Sequence, residues 1–421
     1  MPALLPLLFL AAAATAWAGP VIQSVSGSFV RGGQVVIQGS GFGAKPAAAP
    51  VLYDCISNIA AYGGFSLSSG EQVPIQSDGD CPDCPWAETG WGMRPTYYDQ
   101  PSQLRVPGRP AYHVNRKGYF RGPNPFAPLN ESATVYLTWW VKANHPLYQA
   151  SNGVVWNKLL RYTAGNGNDD WTEQVEIESQ NSYGTDDGCG DTGWDWFGPA
   201  HAELTPNTWH RVEMLLQGGG NLAAGSGRVD ILFDGIRVAG SSSLFSCEGM
   251  LDHVYVWGSD PHVPELYPAD SRILFGEFYL DTSRARVLLT DSDHYALQNS
   301  QPTHWEILPA TAWGSSSITV DFHPGSFSSV EGLYLYVIDA AGNLSPPYRI
   351  SGSGSSDANQ PDGEGASRLR LLPSSPNPFR GAATLSYELP ASVPVRLSVH
   401  DAAGVRVRAL RSGKVEDAGT H

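Results

Sequence analysis

Short runs in which apolar and polar residues alternate recur along most of the chain. Turn residues (Gly, Asn, Pro and Asp) separate the runs, and β-branched or aromatic residues fill them, which is typical of half-buried strands joined by tight turns. The central part holds seven such candidate strands: 134–142, 154–162, 172–179, 208–216, 228–234, 251–257 and 273–281. The pattern predicts an all-β protein built of β-sandwiches.

The first 18 residues follow a different pattern. Residues 4–16 are almost all apolar, and Ala16 and Ala18 are small residues at the positions that a signal peptidase reads. Gly19 and Pro20 end the run before the roughly 20 residues that a membrane span needs. We therefore expect a signal peptide cleaved after Ala18, no membrane span, and a protein that is secreted, extracellular or at the cell surface.

Composition narrows the function classes. The chain of 421 residues has 26 Lys and Arg against 41 Asp and Glu, a net charge of −15, which argues against a nucleic-acid partner. It also has 46 Gly, 32 Pro, 13 Trp and 18 Tyr, and only 16% of its residues are charged. A helical bundle is excluded by this composition, which suits a turn-rich β protein.

Five cysteines are expected to meet an oxidising environment after export. Cys81 and Cys84 form a Cys-x-x-Cys motif in a segment rich in Pro, Gly and Asp, which indicates a loop disulfide rather than a zinc or redox site. Cys189 and Cys247 are candidates for a second disulfide, which leaves Cys55 over. The sequence does not fix this connectivity.

The two ends of the first 350 residues carry halves of one motif. Residues 21–43 form two alternating strands that end in a Gly-rich turn, and residues 313–320 and 332–343 contain further strands around a Pro-Gly turn. Together they resemble an IPT/TIG immunoglobulin-like domain. The resemblance implies a discontinuous domain of residues 19–50 and 286–350, with residues 51–285 inserted as a second domain.

The inserted segment has its own pattern of strand and turn residues. Residues 208–214 (TWHRVEM) are followed by residues 227–235 (GRVDILFDG), in which Asp234 and Gly235 predict a tight hairpin turn. These strands, with the late strand FGEFYLD at 275–281, resemble concanavalin A-like jelly rolls. The resemblance implies a two-sheet sandwich that presents one sheet face to a polysaccharide.

A flexible Gly/Ser/Asp linker at 351–367 precedes a last module at 368–421. Its motifs SPNPF, YELP and VHDAAG resemble the immunoglobulin-like hook-capping-like and type IX sorting modules of secreted bacterial proteins. The chain ends where that family has further strands, so we expect a truncated module. The resemblance implies a cell-surface or secretion-machinery partner.

Two carboxylates suggest a hydrolase as one candidate chemistry. Glu176 and Glu178 lie two residues apart on a strand, which places them on one face about 6.5–7 Å apart. That separation suits an acid/base pair in glycoside hydrolysis. The related hydrolases carry E-x-D-x-x-E, which this strand does not match, so a solvated polar face is the favoured interpretation of the pair.

A polysaccharide lyase is the second candidate. It needs a cation to neutralise the uronate carboxylate, and Tyr, His or Lys to remove the adjacent proton. Arg161, Tyr162 and Lys158 on one strand, with His253 and Tyr255 on another, supply these types. Their order along the chain resembles that of jelly-roll alginate and glucuronan lyases.

Glycan binding without chemistry is the third candidate and the function that we predict. Aromatic rings on strands can stack on the apolar faces of sugars, and the predicted binding residues are Trp156, Lys158, Tyr162, Glu176, Tyr255 and Trp257. Alternation puts Lys158 and Tyr162 on one face of their strand and Arg161 on the other. We expect Lys158, Tyr162 and the two glutamates to share a solvated face.

An acidic segment suggests a structural calcium ion. It offers four carboxylates in ten residues, a ligand type that Ca²⁺ prefers, in what the Gly and Asp content predicts to be a loop. The candidate ligands are Asp186, Asp187, Asp191 and Asp195.

Overall fold

The structure is a computed structural model, and it forms two compact units, Met1–Ser356 and Asp357–His421. It describes residues 19–54, 66–76, 81, 84, 86, 88–90, 94–114, 119–121, 134–145, 158–164, 173–178, 182–187, 195–196, 205–218, 226–244, 251–257, 270–297, 303–350, 370–371, 384–389, 392–400, 406–417 and 419–421. None of these residues forms a helix, and so none forms a helix able to cross a membrane. The all-β prediction is confirmed.

The strands of the larger unit are short and all their pairings are antiparallel. In chain order they are β1 (Val21–Gly27), β2 (Gly33–Ser40), β3 (Leu52–Asp54), β4 (Glu88–Gly90), β5 (Thr96–Tyr98), β6 (Ala111–Val114), β7 (Tyr119–Arg121), β8 (Thr134–Ala143), β9 (Lys158–Ala164), β10 (Glu173–Glu178), β11 (Ser182–Asp187), β12 (Asp195–Trp196), β13 (His210–Gln217), β14 (Gly227–Phe233), β15 (Ile236–Leu244), β16 (Leu251–Trp257), β17 (Ile273–Asp281), β18 (Arg286–Thr290), β19 (Trp305–Leu308), β20 (Ala310–Trp313), β21 (Ser317–Phe322), β22 (Tyr334–Ile338) and β23 (Tyr348–Arg349).

Both ends of the larger unit build one small sandwich. One sheet has the order β1-β2-β21-β20 and the other the order β19-β18-β22-β23. Val35 pairs with Val320 across β2 and β21, so strands nearly 300 residues apart in sequence are neighbours in one sheet. The alternating residues of both sheets meet in a buried core that includes Ile37, Leu289 and Leu335.

The residues between β2 and β18 form the larger sandwich. Its seven-stranded sheet has the order β12-β11-β10-β9-β16-β7-β4, and its eight-stranded sheet has the order β15-β14-β13-β8-β17-β6-β5, with β3 also paired to β17. Every second residue of β8 faces the interior, from Val135 to Ala143, and Met214 and Phe275 pack beside them. The predicted hairpin at Asp234 and Gly235 joins β14 to β15, and both residues have positive φ (50° and 79°), as a type I′ turn requires.

A third core fuses the two sandwiches. The outward residues Tyr136, Leu215 and Tyr279 of the eight-stranded sheet are buried against the small sandwich, where they pack with Leu288 and Trp305. Edge-to-face ring contacts, such as the one between Tyr136 and Tyr279, add to the buried area. Part of the outer face of the eight-stranded sheet is therefore occupied.

A buried cluster of charges, the junction cluster, lies beside this third core. Glu306 of the small sandwich accepts from Arg105 (Nη1–Oε1 2.5 Å, Nη2–Oε2 3.0 Å) and from Arg211 (Nη2–Oε2 3.4 Å), both of the larger sandwich. Glu277 pairs with Arg105 and with Arg109 (2.8 Å). The two arginines nearest Glu306 also lie over the Trp140 and Trp305 rings, which keeps their planar groups in place.

Glu306 stays ionised although it is buried. Burial alone would raise the pKa of this carboxyl, but Arg105, a hydrogen bond with His304, and Arg211 together hold it well below its ordinary value. The backbone N–H of Ser326 also donates to Oε1 (3.1 Å). Position 325 must be glycine, because a Cβ there would overlap the Glu306 carboxyl group.

In its described residues, the C-terminal unit contains five strands in two sheets. They are β24 (Arg370–Leu371), β25 (Tyr387–Leu389), β26 (Val393–His400), β27 (Arg406–Glu416) and β28 (Gly419–Thr420), in the orders β24-β25-β28 and β26-β27. Tyr387, Leu389 and Val395 form its buried cluster within the described residues.

Candidate functional site

The register of the seven-stranded sheet separates its residues into two faces, because residues paired across antiparallel strands lie on the same face. Tyr162 pairs with Val175 on one side and Val254 on the other. Leu160 in the same way pairs with Ile177 and Val256. The residues that this register places together are all apolar or aromatic.

The opposite face carries charged and aromatic residues in a continuous row. Successive pairings join one residue from each of the seven strands, and we call this set the Arg161 row: Trp196, Gly184, Glu176, Arg161, Tyr255, Arg121 and Glu88. Six inter-strand spacings make the row roughly 29 Å long. Its middle alternates in charge, with an arginine on each side of Tyr255 and a glutamate beyond each arginine.

Neighbouring register positions extend this polar face along the strands. His253 and Trp257 lie two residues from Tyr255 on β16, and they pair with Thr163 and Tyr119. Glu178 lies two residues from Glu176 and pairs with Lys158. The face therefore brings together most of the predicted site: both glutamates, Lys158, Arg161, His253, Tyr255 and Trp257.

The strand register differs from one expectation about this face. Tyr162 pairs with Val175 and so lies on the apolar face, whereas Arg161, which alternation alone assigned to the other face from Lys158, joins the glutamates. The cause is a β-bulge: two positions on β10, Ile177 and Glu178, face three on β9, from Leu160 to Lys158. Predicted residue Trp156 lies outside the described residues.

Four residues of the row were missing from the sequence prediction: Glu88, Arg121, Gly184 and Trp196. Glu88 and Arg121 belong to strands of three residues, and Trp196 to a strand of two, which are too short to show a hydrophobic period. In the sequence they stand out only as isolated charged or aromatic residues in segments rich in glycine.

The Cys-x-x-Cys motif forms the expected bond. A disulfide joins Cys81 and Cys84, both buried, and the Gln76 side-chain amide donates to the Cys84 carbonyl (2.6 Å). Trp86, two residues after Cys84 in the sequence, belongs to the core of the larger sandwich, so the disulfide has a structural position. Cys55, Cys189 and Cys247 lie outside the described residues.

The acidic segment is not one loop. Asp186 and Asp187 end β11, where they pair with Gln174 and Glu173, and Asp195 pairs with Thr185 from β12. Asp191 lies outside the described residues. Among the described residues, no group of three His, Cys, Asp or Glu side chains could hold a metal. Calcium at this hairpin remains a prediction.

Comparison with known proteins adds the following. No protein-family model matches the chain, and no curated protein matches it. Among solved structures it is similar to an endo-β-1,4-glucuronan lyase from the fungus Trichoderma reesei (13% identity, 47% of this chain and 91% of that chain, TM-score 0.34). An alginate lyase (13%, 52% and 94%, TM-score 0.33) and the fourth domain of an extracellular arabinanase from Geobacillus stearothermophilus (13%, 46% and 82%, TM-score 0.29) are also similar. At this level of similarity, function must be argued from the chain's own residues.

Proposed function

We propose that this protein binds a polysaccharide or surface glycan along the Arg161 row. The observation that carries the proposal is the row itself, in which Arg161, Tyr255 and Arg121 alternate cation, ring and cation between two glutamates. Charged side chains can hydrogen-bond to sugar hydroxyls or carboxylates, and rings can stack on the apolar faces of sugars. A row of roughly 29 Å matches an extended chain rather than a single sugar.

The packing of the sandwich supports the choice of this face. The opposite outer face, on the eight-stranded sheet, is partly covered by the small sandwich through Tyr136, Leu215 and Tyr279. The register places apolar and aromatic residues on the other face of the seven-stranded sheet, which is the composition expected of a core-facing surface. The Arg161 row therefore belongs to the broad sheet face that remains for a large ligand.

Binding should depend on named residues of the row. We expect Arg161→Ala and Tyr255→Ala to weaken binding of the best ligand from a glycan panel roughly tenfold each, because each removes one charge-assisted or stacking contact. Arg349→Ala, an exposed arginine of the small sandwich, is the charge-matched control. Calorimetric titration measures the affinity, and unchanged affinity in both row variants would rule out this face.

A lyase is a second candidate, favoured by the pairing of Arg161 with Tyr255. The arginine would stabilise the charge that develops on a uronate while Tyr255 or His253 takes the C5 proton. A C4–C5 double bond would form as the C4–O glycosidic bond breaks, and the leaving oxygen would take a proton from the other of these two side chains or from water. Incubation with a panel of uronic-acid polymers, read by ultraviolet absorbance of unsaturated products, tests this directly. Product formation that Tyr255→Phe abolishes, with binding retained, would make the protein an enzyme; absence of product would leave it a binding protein.

We also propose that the protein is exported and that the C-terminal unit attaches it to the cell surface or to secretion machinery. The apolar stretch at 4–16 and the motifs after residue 368 support this proposal. N-terminal sequencing of the mature protein should begin at Gly19, and deletion of residues 357–421 should change its distribution between cells and medium. A mature protein that begins at Met1 would contradict the export proposal.

A further inference from the structure

A partly exposed strip lies on the outer face of the eight-stranded sheet, beyond the part that the small sandwich covers. Along β8, outward Tyr136 is buried in the third core, whereas outward Lys142 at the other end is partly exposed. The strip, which we call the Lys142 patch, consists of Trp209, Lys142, Arg272, His113 and Tyr98. It is separate from the Arg161 row, which lies on the other sheet.

The two cations of the patch lie on one face and close together. Lys142 on β8 pairs with Leu274 on β17. Two residues from this pair, two hydrogen bonds join Asn144 and Arg272: the Asn144 backbone N–H donates to the Arg272 carbonyl (3.1 Å), and the Arg272 backbone N–H donates to Asn144 Oδ1 (2.8 Å). Burial first and the Arg272 charge second lower the pKa of Lys142. The two positive charges therefore act on each other.

Among the described residues, no carboxylate lies within ion-pair distance of Lys142 or Arg272. Burial and Arg272 also lower the pKa of the adjacent His113 to about 4, so this imidazole is neutral near pH 7. In a chain with 41 acidic and 26 basic residues, two neighbouring cations without a carboxylate form a local surplus of positive charge.

Aromatic rings flank the cations on both sides and are held in place. Lys142 Nζ lies 6.0 Å from the centre of the Trp209 ring, and the Arg272 guanidinium lies 5.7 Å from that of Tyr98. The Gln103 carbonyl accepts from Trp209 Nε1–H (3.0 Å) and from Lys142 (3.4 Å). A ligand would therefore meet side chains that are already ordered, which reduces the entropy lost on binding.

We propose that the Lys142 patch binds an acidic saccharide, with its carboxylate or sulfate between Lys142 and Arg272 and its sugar rings against Trp209 or Tyr98. An anion would relieve the repulsion between the two cations, and the flanking rings favour a sugar over a free inorganic ion. Four inter-strand spacings, roughly 19 Å, separate the ends of the patch, which suits an oligosaccharide. This site goes beyond the proposed function, because it lies on a different face and does not depend on the Arg161 row.

The test uses the full chain and three probes: an oligogalacturonate for the carboxylate, a carrageenan oligosaccharide for the sulfate, and a cello-oligosaccharide as neutral control. We expect Lys142→Ala and Arg272→Ala each to weaken binding of one or both acidic probes roughly tenfold. Arg349→Ala, with the same change in charge, should leave it unchanged. Lys142→Gln and Arg272→Gln keep most of the packing if the alanine variants fold poorly.

The binding measurements can overturn the proposal in three ways. Acidic probes that bind both patch variants as tightly as the wild type overturn it, as does equal weakening by Arg349→Ala, which would indicate only long-range electrostatics. The proposal is also overturned if neither acidic probe binds the wild-type protein. Repeating the patch variants in an Arg161→Ala background separates the two sites: a patch effect that persists there supports the patch whether or not the Arg161 row binds glycan.

Discussion

Glu306→Gln tests whether the junction cluster holds the two sandwiches together. The wild-type carboxylate is 3% exposed and accepts from Arg105, Arg211 and the Ser326 backbone. Glutamine fills nearly the same volume, but it removes the negative charge and turns an N–H₂ group towards two arginines. The variant therefore leaves the buried Arg211 guanidinium without its carboxylate and leaves Arg105 with Glu277 alone.

The expected loss of stability is large. Breaking a buried ion pair on one side typically costs about 3–5 kcal/mol. A domain of this size loses about 2 °C in melting temperature per kcal/mol, so the midpoint should fall by roughly 6–10 °C. Scanning calorimetry and urea unfolding at pH 7 measure this. The exposed Glu331 offers a matched control, and Glu331→Gln should change the free energy of unfolding by less than about 0.5 kcal/mol.

Two further measurements can refute the reasoning. Because the folded-state pKa of Glu306 is lowered, its stabilisation is present above the unfolded-state pKa and is lost as the pH falls, so the difference between wild type and Glu306→Gln should shrink in acid. Arg105→Met should cost less in the Glu306→Gln background than in the wild type. A loss below about 1 kcal/mol at pH 7, or additive costs, would show that the cluster is solvated and does not join the sandwiches.

Three smaller predictions follow from other contacts. Burial, Arg109 and Arg31 lower the pKa of His323 to about 4, so the fold favours the neutral imidazole and the free energy of unfolding should fall as the pH drops from about 6.5 to 4. Thermal melting at pH 7.5 and pH 4.5 should show a smaller fall for His323→Asn than for the wild type. An equal fall in the two proteins would contradict this prediction. Because the Cys81–Cys84 disulfide closes a very short loop, replacing both cysteines by serine should lower the free energy of unfolding in urea by at most about 2 kcal/mol. A larger loss would show that the disulfide stabilises the fold by more than loop closure. Millimolar Ca²⁺ should raise the melting temperature and EGTA should lower it, an effect that Asp191→Asn should reduce; no shift with either would exclude the ion.

The elements with local signals could be predicted from the sequence. Residues 134–142 and 208–216 alternate clearly because one side of each strand packs in the core of the larger sandwich, from Val135 to Val141 and from Val212 to Leu216. The hairpin at Asp234 depends on two adjacent residues with positive φ, a requirement that Asp-Gly expresses directly. Strand positions and this turn are therefore encoded within about ten residues.

The site could be predicted only in part, because it depends on pairing between distant strands. Alternation shows which residues of a strand share a face, but the bulge between Lys158 and Leu160 breaks the alternation, and nothing in the sequence marks it. Tyr162 was placed with the glutamates for this reason. The arginine on the far side of Tyr255 comes from a three-residue strand, whose role appears only when the sheet is assembled.

The split sandwich has a consequence for the order of folding. Strands β1 and β2 emerge early in synthesis with Ile22, Val25 and Ile37 on the face that needs a partner, but β21, which pairs with β2, follows only about 280 residues later. Contacts of such long sequence separation form late, because a long loop must be closed first. We expect the inserted sandwich to fold first and to bring its two ends together as a template for the small one. Until then the N-terminal hairpin is an exposed sheet edge, which makes it the segment most in need of a chaperone.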